Sequence, residues 1–176
     1  MPLRIRTLER SDVRAGFASG EPSLDTFIER YAWQNQQRHH LGVTYVAVDD
    51  VTRRVVGYFT AAMAAIAPAQ MSDPIAPGRY AHVPALRIAR LAVDHRFQGV
   101  GVGSELLYAA LGLALAESER VGCAGVLVDA LPQSVAFYER FGFEPLTAVV
   151  GTSPARPRPV MMYLGLGVAR RAIEGE

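Results

Sequence analysis

LRIARLAVDHRFQGVGVGSELLYAALGLALAESER, residues 86–120, sets a strand, a glycine-rich turn and a long helix end to end. Residues 86–93 (LRIARLAV) are apolar and β-prone and read as a strand. Arg96 to Gly103 form the turn, and helical periodicity then runs to about Arg120. Glycines let a backbone turn sharply and approach a ligand closely. The helix that follows begins with unpaired N–H groups and the positive end of its dipole, so the two together make a cradle for an anion, typically phosphate. Arg96 would add a charge-assisted contact. Two familiar phosphate loops fit poorly. A nucleotide P-loop requires Gly-Lys-Ser/Thr, and the chain has no lysine; a dinucleotide fingerprint is GxGxxG, whereas Gly99, Gly101 and Gly103 give GxGxG.

Upstream, Leu3, Ile5 and Thr7 alternate with arginines as in a strand, and Ser11 or Asp12 is placed to cap a short helical turn. Leu24, Phe27, Ile28 and Tyr31 recur at helical spacing within a helix predicted from Pro22-Ser23 to about Arg38. Residues 43–48 and 54–66, separated by Asp49-Asp50, predict a hairpin. Residues 67–84, with Pro68, Pro74, Pro77, Gly78 and Pro84, read as a long loop. Downstream, 124–129 reads as a strand, 132–141 as a short helix with Pro132 near its start, and 143–146 and 160–166 as final strands around an Arg/Pro-rich loop, 151–159. The order βαββ, loop, β, glycine turn, αβαβ predicts one α/β (α+β) domain over residues 1–166. Its sheet is mixed and mostly antiparallel with helices on both faces, and residues 167–176 follow as a polar, fraying tail.

Composition narrows the function classes. The chain has 176 residues, half of them apolar, enough for one domain with a real core. Its 18 basic residues, all arginine, face 17 acidic ones, for a net charge of +1. That balance speaks against a strongly basic nucleic-acid binder, although arginine forks suit phosphate well. The single cysteine, Cys123, forms no internal disulfide, and no Cys/His cluster has metal-ligand spacing, so no metal is expected. With no apolar leader and no membrane-length apolar run, a cytoplasmic protein is the expectation.

Two motifs carry a resemblance. Arg96-x-x-Gly99-x-Gly101 resembles the acyl-CoA pyrophosphate signature of the GNAT N-acetyltransferase superfamily, and it lies between a strand and a long helix as that family requires. Ala136-Phe137-Tyr138-Glu139-Arg140-Phe141-Gly142-Phe143 resembles the family's FYxxxGF element. A narrower resemblance rests on Leu24-Asp25-x-Phe27-Ile28, Tyr31-Ala32-x-Gln34-Asn35, Thr44-Tyr45-Val46-Ala47, Val56-Gly57-Tyr58-Phe59 and Ala89-Arg90-Leu91-Ala92-Val93-Asp94. In these stretches the chain is similar to the GNAT toxins of type II toxin–antitoxin modules. Those enzymes acetylate the α-amino group of aminoacyl-tRNA and stop translation.

The resemblance implies acetyl-CoA as co-substrate and residue roles to go with it. Tyr138 would protonate the departing CoA thiolate. Leu91, Ala92 and Val93 would offer backbone groups to pantetheine and the acetyl carbonyl, with their side chains in the core, and Phe137 would border the cofactor. Arg96, Gln98, Gly99, Val100, Gly101, Val102, Gly103 and Ser104 would cradle the pyrophosphate. Arg90, Tyr31, Trp33 and Asn35 are the candidate acceptor-side residues. Leu131 stands where many members carry a polar residue that contacts CoA. The implied partners are aminoacyl-tRNA and a small ribbon-helix-helix antitoxin, with no membrane and with a homodimer as the family-level expectation.

No general base stands out. Asp94, His95, Asp129, Glu139 and Glu144 lie near the motifs, each in a context that reads as solvated. An α-amino group, with a pKa of about 7.7–8.0, needs less help to lose its proton than a lysine amine at about 10.4. Arginine clusters at Arg4, Arg6, Arg10 and Arg14, at Arg38, Arg53-Arg54, Arg79, Arg87-x-x-Arg90, Arg156-x-Arg158 and Arg170-Arg171 are the places where RNA phosphates would be met. Two other readings stay open: a GNAT acting on a small amine, peptide or protein, and a non-enzymatic acyl-CoA-binding partner of a DNA-binding antitoxin.

Overall fold

The computed structural model of the chain describes residues 3–72, 74, 78–146 and 159–175. The Arg/Pro-rich stretch 151–158, with Arg156 and Arg158, and Pro77 lie outside the described residues. Seven strands are hydrogen-bonded in the order β1-β2-β3-β4-β5-β7-β6: β1 Leu3–Thr7, β2 Val43–Asp49, β3 Val55–Ile66, β4 Val83–Val93, β5 Gly125–Ala130, β6 Glu144–Pro145 and β7 Val160–Gly165. The β1/β2, β2/β3, β5/β7 and β6/β7 pairings are antiparallel. The mixed, mostly antiparallel sheet expected from the element order is therefore present. No helix among the described residues is long and apolar enough to cross a membrane.

Contacts gather the chain into two interleaved units, Met1–Ala62 with Ile88–Ala110 and Met63–Arg87 with Leu111–Glu176. In the first, Leu8, Phe17, Phe27, Ile28, Val46, Val48, Tyr58 and Ala92 form the core, with Leu24 and Trp33 packed against it. Tyr58 lies fully buried, edge-on to Phe17 and stacked on Phe27, and its hydroxyl donates to the Leu24 carbonyl at 2.8 Å.

The helix expected over residues 22–38 is present but irregular. α1 (Pro22–Thr26) passes into a π turn at Phe27–Tyr31, then α2 (Ala32–Gln34), then a second π turn at Asn35–His39. The run stops at His40, which takes a left-handed cap at φ 50°. Gln36 bonds the run to the strands: its Oε1 accepts from the Thr44 amide at 2.9 Å, and its Nε2 donates to the Leu8 carbonyl at 3.4 Å.

In the second unit, Ile66, Met71, Val83, Ala85 and Leu127 form the core, with Leu146 and Tyr163 against it. β4 begins at Val83, inside the stretch that the prolines mark as loop; Pro84 stands at its start, where a missing N–H is tolerated, and its carbonyl accepts from the Ala124 amide at 2.8 Å. The expected fraying tail is instead a helix, α5 (Leu166–Glu174), with Ala169 buried. The Leu166 amide anchors its start by donating to the Ala124 carbonyl at 2.9 Å.

Candidate active site

The first unit holds the glycine turn. β4 ends at Val93, and the Asp94 amide donates to the Val56 carbonyl at 2.9 Å, still in strand fashion. A single 3₁₀ turn, His95–Phe97, follows, capped by the Asp94 side chain. Gly99 at φ 75° and Gly101 at φ 96° supply left-handed backbone that other residues adopt only under strain. α3 (Val102–Arg120) then begins, its first helical bond running from the Glu105 amide to the Gly101 carbonyl at 3.1 Å. The N–H groups of Val102, Gly103 and Ser104 precede that bond and carry the positive end of the helix dipole. Strand, turn and helix thus stand where the sequence places them.

Side chains around the turn depart from expectation. The Asp94 carboxylate is fully buried, not solvated. It accepts from Arg96 Nε at 2.8 Å, from Arg96 Nη2 at 2.7 Å, and from the Arg96 and Ala18 amides at 3.1 and 3.2 Å. The Arg96 fork outweighs burial and holds this carboxyl down at about 2. The Arg96 fork is therefore committed to Asp94. Gln98 is engaged too: its Nε2 donates to the Val93 carbonyl at 2.8 Å and the Ser19 carbonyl at 2.9 Å. The same glycine spacing recurs two residues on, as Gln98-x-x-Gly101-x-Gly103, and it is this register that ends inside the first turn of α3. Leu91 and Val93 are half-buried and only Ala92 is buried, so the expected core strand is core at one position in three.

The acceptor-side candidates also lie in this unit. Arg90 sets its guanidinium 3.9 Å from the centre of the Phe27 ring, a cation–π contact. Tyr31 is 51% exposed, while Trp33 and Asn35 are half-buried. Segment 8–16 runs back along the helix. It is tied at one end by Gln36 to the Leu8 carbonyl and at the other by the Gly16 amide to Glu29 Oε1 at 2.8 Å. Arg10 and Arg14 on this segment and Arg30 and Arg38 on the helix are thereby gathered on one unit. Among the described residues none of the four is in an ion pair. Arg4, Arg6 and Arg53, by contrast, are matched to Asp50, Asp12 and Glu9.

Tyr138 belongs to the second unit. It lies in α4 (Val135–Glu139), 5% exposed, edge-on to Phe137 at 5.1 Å and to Phe143 at 5.5 Å. Burial, and secondarily the Asp129 charge, push its phenol well above the usual value, so it stays protonated across the physiological range. Phe137 is half-buried and also faces Arg140 at 5.6 Å. Leu131 caps the 3₁₀ turn that leads into α4.

The carboxylates near the motifs are largely occupied. Asp129 accepts from Arg87 Nε at 2.9 Å and from its Nη2, and Glu144 accepts from Ser72 Oγ at 2.8 Å. With Asp94 saturated as well, three of the four acidic candidates for a general base already hold donors; Glu139 is exposed.

Comparison with known proteins agrees with this architecture. Residues 5–143 match the acetyltransferase (GNAT) family. A curated relative, the tRNA-acetylating toxin of Mycobacterium tuberculosis, is 34% identical over 165 residues, covering 90% of each chain. Among solved structures, AtaT complexed with acetyl-methionyl-tRNAfMet superposes with a TM-score of 0.83 at 23% identity, over 96% of this chain and 98% of that one. A mutant AtaT toxin bound to the C-terminus of the antitoxin AtaR gives 0.78 at 23% identity, over 96% of each chain. At that identity the structural likeness speaks for the fold. The family match over most of the chain, together with the strand–glycine turn–helix at 83–120 and the aromatic element around Tyr138, makes this chain an N-acetyltransferase of the GNAT family.

Proposed function

We propose that the protein transfers the acetyl group of acetyl-CoA to the α-amino group of aminoacyl-tRNA, and so acts as a toxin that blocks translation. One observation carries the donor half: two left-handed glycines deliver three free helix N–H groups at the end of β4, a cradle for the CoA pyrophosphate. The residues of that cradle are Gln98 to Ser104. Leu91 to Val93 supply strand backbone groups to the pantetheine and to the acetyl carbonyl, where an N–H stabilises developing negative charge.

The acceptor nitrogen attacks the thioester carbonyl carbon; the C–N bond forms and the C–S bond breaks. Tyr138 gives its proton to the departing sulfur, and the proton lost by the nitrogen restores the phenol, directly or through water. A phenol that burial keeps protonated suits this task. Committed carboxylates suit an acceptor that is partly neutral without a strong base, as an α-amine is. Arg10, Arg14, Arg30 and Arg38, in no ion pair among the described residues, offer positive charge to RNA phosphates, and Tyr31, Trp33, Asn35 and Arg90 border the acceptor side.

The name of the mycobacterial relative and the tRNA complex of AtaT support this choice of acceptor over a small amine, peptide or protein. The antitoxin complex of AtaT supports a protein partner, which we take to be a ribbon-helix-helix antitoxin, with a homodimer as the assembled enzyme in the cytoplasm. The test gives purified protein labelled acetyl-CoA with charged and uncharged tRNA. Label confined to charged tRNA is the expected outcome; label only on small amines or on protein rejects the acceptor, and no transfer to any amine rejects the enzyme.

A further inference from the structure

Between the 3₁₀ turn at His95–Phe97 and the start of α3, the chain leading into the donor cradle is Gln98, Gly99, Val100 and Gly101. A side chain built on Gly99 or Gly101 would meet nothing within 4 Å, and Val100 is exposed. The backbone here is glycine-rich, unpacked and expensive to order. Its shape therefore depends on anchors at its two ends. α3 is the anchor at the exit. At the entrance the anchor is Asp94, where four N–H donors from Arg96 and Ala18 converge on one buried carboxylate.

That anchor reaches further. Arg96 Nη2 also donates to the Gly16 carbonyl at 3.4 Å, and the His95 amide donates to the Ala18 carbonyl at 2.8 Å. Gln98 joins Val93 to Ser19. Residues 16–19 are in turn fastened to the first helix: the Ser19 amide and hydroxyl donate to Asp25 at 2.8 and 2.6 Å, and the Gly16 amide donates to Glu29. A strap with Asp94 at its centre thus runs from the glycine turn to the helix that carries Tyr31 and Trp33.

We propose that Asp94 is a positioning residue for the acetyl donor: through Arg96 and the Ala18 amide it fixes the entrance of the glycine turn, so that the pyrophosphate meets N–H groups already in place. On this view Arg96 serves the turn and not the phosphate, since its fork is held by Asp94. The proposal rests on the reading that residues 98–104 hold the pyrophosphate.

The test compares acetyl-CoA with S-acetylpantetheine, a thioester that lacks the pyrophosphate, using charged tRNA as acceptor. Asp94→Asn replaces an acceptor with an amide that faces donors. We expect it to raise KM for acetyl-CoA about tenfold with kcat within about twofold, and to leave kcat/KM for S-acetylpantetheine unchanged. Adding Arg96→Ala to it should cost no more, because both changes break one contact. Equal losses with the two donors would reduce Asp94 to a structural role, and a KM for acetyl-CoA that stays or falls would return Arg96 to the phosphate; either overturns the proposal. If Asp94→Asn fails to fold, Asp94→Ser, smaller and uncharged, takes the same donor comparison. A wild-type enzyme indifferent to the pyrophosphate would instead reject the cradle reading itself.

Discussion

A Cβ placed on Gly57 would stand 2.9 Å from Leu106 Cδ1, 3.2 Å from Val102 Cγ1 and 3.2 Å from the Ala92 carbonyl. Gly57 on β3 is therefore the reason the first turns of α3 lie so close to the strands, and with them the N–H groups of the cradle. Gly57→Ala should cost about 1–3 kcal/mol through overpacking. It should also raise KM for acetyl-CoA, because α3 is pushed back. Thermal denaturation and donor kinetics on the same sample check both; a stable variant with an unchanged KM would show that α3 has room to give.

Tyr138→Phe removes the proposed acid and keeps the ring that packs on Phe137 and Phe143. Transfer should slow about 100-fold or more, with little change in donor affinity. Because burial raises the phenol, the wild-type rate should show no falling alkaline limb up to about pH 9, and kcat/KM should climb as the acceptor α-amine loses its proton near pH 8. A wild-type rate in the Phe variant would remove Tyr138 from the mechanism.

Acid should unfold the protein in a way that reports on Asp94. Its carboxyl sits at about 2 when folded, against an ordinary value of about 3.9, so the folded state binds that proton less readily than the unfolded one. The stabilisation, about 2 kcal/mol, is present above pH 4 and is lost as the pH falls toward 2. Asp12, also lowered by its bond from Arg6, adds in the same direction. In urea titrations from about pH 5 to pH 2, Asp94→Asn should flatten part of the slope. A slope unchanged from wild type would contradict the hold of the Arg96 fork on that charge.

The arginines should divide by partner. Replacing Arg30 or Arg38 by Gln should weaken tRNA binding and reduce the slope of log affinity on log salt by about one each. Replacing Arg4, which is matched to Asp50, should change neither. Binding titrations across a salt series distinguish the two sets; equal effects from all three would mean that tRNA is held by diffuse charge.

What the chain reveals in one dimension is what it builds from neighbours. The strand, the glycine turn and the start of α3 are contiguous, so residues 86–120 display them directly. The burial of Asp94 is invisible by the same logic: the Ala18 amide, which joins Arg96 on its carboxylate, lies 76 residues away. Charge in a sequence reads as exposure until a fork closes over it, and the Arg96 contact gives no signal of its own. The polar look of residues 167–176 hid α5 because its burial rests on one small side chain, Ala169. The clusters at Arg4 to Arg14 misled for a related reason: alternation along β1 sends Arg4 and Arg6 to carboxylates, while Arg10 and Arg14 follow segment 8–16.

The π turns at Phe27–Tyr31 and Asn35–His39 each hold one more residue than an ordinary helical turn. A single-residue deletion at Tyr31 would let the first π turn become an ordinary α-helical turn and improve the backbone there. It would also rotate everything after it by about 100°. Gln36 would lose the Leu8 carbonyl and the Thr44 amide together, and Trp33 would leave the core. The first helix thus tolerates many substitutions more easily than a change of length: its surplus residues act as spacers that keep two faces in phase.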